Sequence, residues 1–345
     1  MVAAPNPNPG AFLLARDGSR DRFGAAGVAD RSTGTPMRPG LKFRAGSITK
    51  TFTATVVLQL VAERRPDSTT PCTPCCPTRS APTTHCPARP SRSASCSITP
   101  AGCTTTSTGC FRFRALDQYW PRDQLIGIGL AQPRYFPVPG TRFRYSNTNY
   151  LLLDLIVERI TDRDLRTNLE RRVFAPLKLR DTAYPWPGPP STEPMHTATR
   201  TSPLAAPTRR TPPGSDVTAI SPSEAGASGA LVTTAADVAR FYRYLLQGRL
   251  LPPELLRQML SDTVPTTGSA PPAVGYGWAC YVYATDCGLA YGHGGSAPGY
   301  LTFALNSRDG RHQPVAHTNW NPLVDAGVDE DFWDAFPQGY CSRPR

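Results

Sequence analysis

Strand-like runs occupy the two ends of this 345-residue chain and helix-like runs fill its middle, which leaves few folds open. Residues 10–17 (GAFLLARD) and 22–30 (RFGAAGVAD) read as two short strands joined by a Gly-containing turn. From about residue 273, VGYGWACYVYA, CGLAYGHGG, GYLTFALNS and QPVAHTNW follow at short spacing, rich in aromatic and β-forming residues, with Arg308-Asp309-Gly310 as a hairpin turn. Between these ends, Ile48, Phe52, Val56 and Leu60 recur at helical spacing. They predict a helix beginning near Ser47, whose β-branched content suits a buried helix. A second helix is predicted from about Thr148, then a helix and turn over ERRVFAPLKLRDT. AADVARFYRYLLQGRLLPPELLRQML predicts a helical pair, with Val238, Phe241 and Leu245 on one face. Gly248 stops the first member and Pro252 and Pro253 start the second. VDEDFWDAF closes the chain as a further helix. The economical solution is an α+β fold, an antiparallel sheet built from both termini and flanked by helices. Residues 1–62 and 272–345 would form the sheet-containing part and 63–271 an inserted, mainly helical domain, with a Pro-rich surface loop at 185–216.

The chain is long enough to bury a core without staples. Its net charge of +11 comes almost entirely from arginine, Lys42, Lys50 and Lys178 being its only lysines. The arginines are scattered, without a dense basic run or interleaved aromatics, so we expect a soluble arginine-rich surface rather than a nucleic-acid interface. A basic module for nucleic acid or an anionic polymer would instead show salt-dependent retention. No apolar stretch approaches the ~18 residues of a membrane helix, and MVAAPNPNPG has neither the basic start nor the apolar core of a signal peptide. We expect a monomer acting on a small molecule or peptide, with the compartment left open.

Seven of the ten cysteines fall between Cys72 and Cys110, in a stretch biased towards Pro, Thr, Ser and Arg. Cys72 and Cys75 have C-x-x-C spacing, but no second pair or paired histidines follow to complete a zinc site. A disulfide framework would require an oxidising compartment, and disorder would suit the composition. A fourth reading, which we favour, is a pair of compensating frameshifts bounding residues 66–112. Ala94–Thr106 can be encoded so that a one-base shift reads QLLDHTSGLYDY, a string with helical apolar spacing. The nucleotide sequence decides this directly.

Three short motifs can carry chemistry. Ser47-Ile48-Thr49-Lys50 is S-x-x-K at a helix start, where side chains at i and i+3 share a face. The helix N-terminus favours negative charge on the serine oxygen, and a lysine in a partly dry pocket gives up its proton more easily. By itself the pattern arises about once in a few hundred residues, and a capping serine beside a surface lysine would look the same. Tyr145-Ser146-Asn147 precedes the second helix. A tyrosine hydroxyl can share proton transfer and an amide can hold a carbonyl, although Ser146 or Asn147 would equally serve as a helix cap. His293-Gly294-Gly295-Ser296 lies on a late strand. Its glycines allow close approach to the backbone, and the Ser47 and Ser296 N–H groups could together form an oxyanion hole. A Gly-rich loop with a partly buried histidine is the plainer alternative.

In this order the three motifs resemble those of the penicillin-recognising serine hydrolases. The nearest likeness is to the branch with class C β-lactamases, the D-alanyl-D-alanine carboxypeptidase of soil actinobacteria and related esterases. PGTRFRYSNTNYLLLDLIVERIT, GASGALVTTAADVARFYRYLL and YGHGGSAPGY carry it across nearly the whole chain. The resemblance implies acylation of Ser47 by an amide, lactam or ester and then hydrolysis, without metal or cofactor. Lys50 and Tyr145 would share the base and acid roles, and Asn147, His293, Gly294 and Gly295 would contact substrate. His293 stands where class C β-lactamases carry lysine, which favours a peptidase or esterase, most like the carboxypeptidase. Gly294 stands where threonine is frequent. Residues 66–112 lack the L-L-x-H-T-S-G-like segment of related proteins, which raises the alternative of an inactive relative.

Overall fold

The computed structural model describes residues 10–30, 33–63, 119–133, 143–185, 218, 220–266, 273–319 and 340–341. The anomalous 66–112 segment, nearly all of the 185–216 loop and the predicted closing helix lie outside the described residues. Both ends of the chain enter one eight-stranded antiparallel sheet, as the distribution of strand patterns requires. Strands β1 (Gly10–Asp17) and β2 (Arg20–Asp30) form the first hairpin, and Gly18 turns it at φ +61°. The short β3 (Thr35–Pro36) adds one edge. Outside this sheet, β4 (Phe43–Arg44) pairs with β5 (Val232–Thr233). The late strands are β6 (Gly275–Tyr276), β7 (Tyr281–Thr285), β8 (Gly288–Ala297), β9 (Tyr300–Asn306) and β10 (His312–Thr318). The sheet order is β3-β2-β1-β10-β9-β8-β7-β6, so first and last strands pair in its interior, with Phe12 opposite His317.

All seven residues of β9 are buried, because both faces of the sheet are covered. The alternation of a strand divides them: Tyr300 and Ala304 join the main core, while Leu301, Phe303 and Leu305 join a smaller cluster closed by Tyr340. A disulfide, Cys287–Cys341, ties that closing segment to the β7–β8 turn. Neither cysteine belongs to the crowded group between Cys72 and Cys110.

Helix α1 (Thr49–Ala62) packs under the sheet and is buried around most of its circumference, as its β-branched residues predict. Phe52 stacks on Phe241 at 3.6 Å between ring centroids, and burying such a side chain stabilises by roughly 1.5–3 kcal/mol. The buried threonines reach polar partners. Thr51 donates to the Ala279 carbonyl at 2.7 Å and Thr53 to that of Ala227 at 2.9 Å. Helix α3 (Thr148–Thr161) lies beside it, and α2 (Arg122–Ala131) packs on α3, Leu125 and Ile126 meeting Leu151 and Leu152. Next, α4 (Leu165–Leu169) runs through a π turn, Glu170–Phe174, into a last turn at Ala175–Leu177. The predicted helical pair is α5 (Ala235–Leu246) and α6 (Pro253–Ser261), with Gly248 left-handed between them. Val238, Phe241 and Leu245 are fully buried.

Candidate active site

Ser47 does not open α1 directly. It sits one step earlier, in a 3-10 turn, Gly46–Ile48, that runs into the helix. Thr49 holds this turn: its hydroxyl donates to the Gly46 carbonyl at 2.7 Å and accepts from Leu231 N–H at 3.1 Å. The Ala45 N–H donates to Leu231 O at 2.8 Å on the same segment. Ser47 is part-exposed while Ala45, Gly46 and Ile48 around it are buried.

Strand β8 is pressed against this turn with no side chain between them. A Cβ on Gly295 would run into the Ala45 carbonyl oxygen, and one on Gly46 would lie 2.7 Å from both Ser296 N and Ser296 O. Gly46 is also left-handed, at φ +52°, a conformation that disfavours other residues. These two glycines bring the Ser296 backbone beside Ser47.

Lys50 is fully buried. Its amine lies 3.0 Å from Ser47 Oγ and donates to the Ser228 carbonyl at 2.7 Å. The rings of Tyr145 and Tyr150 lie 4.8 and 5.2 Å from it. Burial pulls the Lys50 pKa well below that of an ordinary lysine, which favours the neutral amine with a lone pair available to Ser47. Burial likewise raises the Tyr145 phenol, opposed in part by its contact with Ser47. That hydroxyl is buried close to Ser47 without ordinary hydrogen-bond geometry, a looseness common in sites without substrate.

Asn147 occupies the N-cap position of α3 but its side chain makes no capping bond, so capping does not explain the residue. Its carbonyl accepts from Tyr150 N–H at 3.0 Å. His293 is 2% exposed and turned into a group of aromatic rings, 5.0 Å from Tyr281 and 5.8 Å from Tyr276 between centroids. Its Nδ1 lies 2.5 Å from the Gly294 carbonyl, which can only accept, so Nδ1 carries the proton. In the neutral ring Nε2 must then accept, from the Tyr276 hydroxyl at 3.3 Å. Tyr276 in turn accepts from Tyr150 at 2.9 Å. Burial lowers the His293 pKa to about 3, which keeps the imidazole neutral. Gly294 faces the Phe303 ring, which a Cβ would approach to 2.6 Å.

The structure thus gathers Ser47, Lys50, Tyr145, His293 and the Ser296 backbone in one place, with Asn147 two residues beyond Tyr145. Sequence reasoning missed Ser228, which acts through a backbone carbonyl, and the Tyr150–Tyr276 pair. The one available signal was the second tyrosine of YSNTNY. Among the described residues, no group of three or more His, Cys, Asp or Glu side chains is placed to hold a metal ion, and no helix is long and apolar enough to cross a membrane.

Several known proteins resemble this chain in sequence or in fold. The chain is 28% identical over 294 residues to penicillin-binding protein 4 of Amycolatopsis lactamdurans, covering 81% of this chain and 72% of that one. It superimposes on a D-stereospecific amidohydrolase from Streptomyces sp. with a TM-score of 0.75 and 33% identity, over 91% and 90% of the two chains. The fold of D-amino acid amidase from Ochrobactrum anthropi SV3 matches with a TM-score of 0.74 at 23% identity, over 91% and 87%. Residues 6–335 match the Beta-lactamase family model, and the chain belongs to that family of serine hydrolases.

Proposed function

We propose that the protein is a serine amidohydrolase that forms an acyl-enzyme at Ser47 with amino-acid amides or short peptides of D configuration. The observation that carries this reading is the buried Lys50 amine, 3.0 Å from Ser47 Oγ and anchored to the Ser228 carbonyl. Neutral Lys50 takes the Ser47 proton as Oγ attacks the amide carbonyl carbon. The oxyanion of the tetrahedral intermediate is held by the Ser47 and Ser296 N–H groups. Tyr145 passes a proton to the leaving nitrogen, the C–N bond breaks, and ammonia or an amine departs. Water, deprotonated through the same pair, attacks the ester and frees the acid and Ser47. Asn147 holds the substrate carbonyl side, and the Gly294–Gly295 backbone lines the cleft. His293 positions the aromatic wall and adds no charge.

That neutrality bears on the substrate. A D-alanyl-D-alanine carboxypeptidase must recognise a terminal carboxylate, and His293, at a pKa of about 3, offers it no cation where class C β-lactamases have lysine. An uncharged amide makes no such demand. The half-buried rings of Phe143 and Tyr281, 6.3 Å apart beside His293, suit an apolar or aromatic substrate side chain. The 33% identity to a D-stereospecific amidohydrolase supports the same choice, and the likeness to penicillin-binding protein 4 keeps the carboxypeptidase as the second reading.

The test is ammonia release from D- and L-phenylalanine amide, alongside release of D-alanine from a D-alanyl-D-alanine peptide. We expect turnover of the D-amide, none in Ser47→Ala and almost none in Lys50→Ala. Activity retained in Ser47→Ala would end the assignment. Faster cleavage of the peptide than of the amide would favour the carboxypeptidase.

A further inference from the structure

A concavity lies far from Ser47. A cavity of about 430 Å³, lined chiefly by Arg16, Asp21, Arg240, Arg243, Tyr244 and Arg249, opens between the β1–β2 turn and the end of α5. Its distance from the nucleophile follows from the strand register. Gly295, beside Ser47, is in line with Thr302, His317 and Phe12 across the sheet. The cavity lies at the level of Asp17, five residues further along β1, about 17 Å at the rise of a strand.

Four of these side chains are cations and one is an anion. Arg16 and Asp21 neutralise each other through two contacts at 2.6 and 2.5 Å. Arg240, Arg243 and Arg249 remain, and among the described residues none of them has an acidic partner within 4.0 Å. Beyond that distance, Arg240 acts electrostatically on Asp237 of the same helix and Arg243 on Asp21. The plain explanation for arginines at the end of a helix is that they cap its last carbonyls. Here those carbonyls are already taken. Arg243 O accepts from Gln247 N–H at 3.0 Å, Tyr244 O from Arg249 N–H at 2.9 Å, and Leu245 O from Gly248 N–H at 3.0 Å. Leu246 O accepts from Arg308 at 3.2 Å.

The guanidinium groups themselves are lightly used. Arg243 donates once, to Gly18 O at 3.1 Å, and Arg240 once, to Leu177 O at 3.5 Å. The Arg249 guanidinium lies over the Tyr244 ring, 5.0 Å from its centroid. A guanidinium carries five N–H donors, so most donors of all three are left for a ligand. Arginine forks match the oxygens of phosphate.

We propose that this cavity binds a small soluble anion carrying a diphosphate group. Three unmatched cations in one concave space are balanced by about three negative charges, which a diphosphate concentrates within reach of all three. A concave pocket also suits a free molecule better than a flat lipid surface. The proposal is independent of the chemistry at Ser47.

The experiment is calorimetric titration of the full chain with inorganic pyrophosphate at fixed ionic strength, with inorganic phosphate, citrate and phosphatidic-acid vesicles in parallel. We expect saturable binding of pyrophosphate, tighter than that of phosphate or citrate. Arg243→Gln and Arg249→Gln should each weaken it roughly tenfold, the loss of one or two charge-assisted hydrogen bonds. Arg249 is exposed, so its variant does not threaten the fold. Arg257→Gln, an exposed arginine paired with Glu254, should bind as the parent does. The proposal is overturned if pyrophosphate gives no saturable heat, if both arginine variants bind unchanged, if citrate binds as tightly, or if vesicles bind where pyrophosphate does not.

Discussion

Replacing Gly46 by alanine tests how the nucleophile is seated. A Cβ there would sit 2.7 Å from Ser296 N and O, against about 3.5 Å for an unstrained contact. The turn and β8 must therefore part by about 0.8 Å, or the backbone must leave φ +52°. Alanine in the left-handed region costs roughly 1–2 kcal/mol, a loss the fold can survive. The larger effect falls on catalysis, because Ser47 and Ser296 would separate by the same distance. A misplacement of about 1 Å costs on the order of 100-fold, so we expect kcat/KM to fall between about 10- and 100-fold with a small change in the urea midpoint. The assay is ammonia release from D-phenylalanine amide, backed by the rate at which an activated ester acylates Ser47, followed by intact mass. Gly24 is the control, since a Cβ there meets nothing within 4 Å, and Gly24→Ala should stay within about twofold of the parent. Gly46→Ala with unchanged acylation and unchanged stability would refute the argument that backbone contact sets the site.

Lys50→Arg should lose at least about 100-fold in the acylation rate, the contribution of a general base, because a guanidinium stays charged and cannot take the serine proton; an active variant would show that Lys50 is not the base. Cys287→Ser removes a bridge across 54 positions, and loop entropy sets its cost at about 4 kcal/mol at most; a urea midpoint equal to that of the oxidised parent would contradict it. His293 ionises at about 3 in the folded chain against an ordinary 6.5, so protons favour the unfolded chain. Stability present above pH 6.5 is then lost as pH falls towards 3, by about 2 kcal/mol between pH 6.5 and 5. Asp154 and Glu224, raised by burial to about 6 and about 7, act with the opposite sign, so the measurement is the parent minus His293→Gln difference in urea unfolding. A difference that is constant from pH 7 to 5 would count against the buried neutral histidine.

Ser47 and Lys50 were legible because their relation is local: three positions on one helical turn fix the pairing wherever the turn goes. The helix start at Thr148 and the strands of both termini were legible through periodicity. Ser228 was not, because it contributes a carbonyl that every residue type possesses. The Tyr276–His293 link reaches from β6 past the intervening β7 to β8, which no spacing rule reports. Cys287–Cys341 was not legible for a different reason: its two cysteines stand 54 positions apart and are brought together only by tertiary packing.

The backbone contact between Gly46 and Ser296 also bears on the order of events during synthesis. About 250 residues separate the two halves of the site, which at roughly 5–20 residues per second is a delay of about 12–50 s on the ribosome. Strand β10, which pairs with β1, emerges later still. Throughout that interval Ser47 has no Ser296 backbone beside it, so a partly made chain carries its nucleophile without the surface that would arm it.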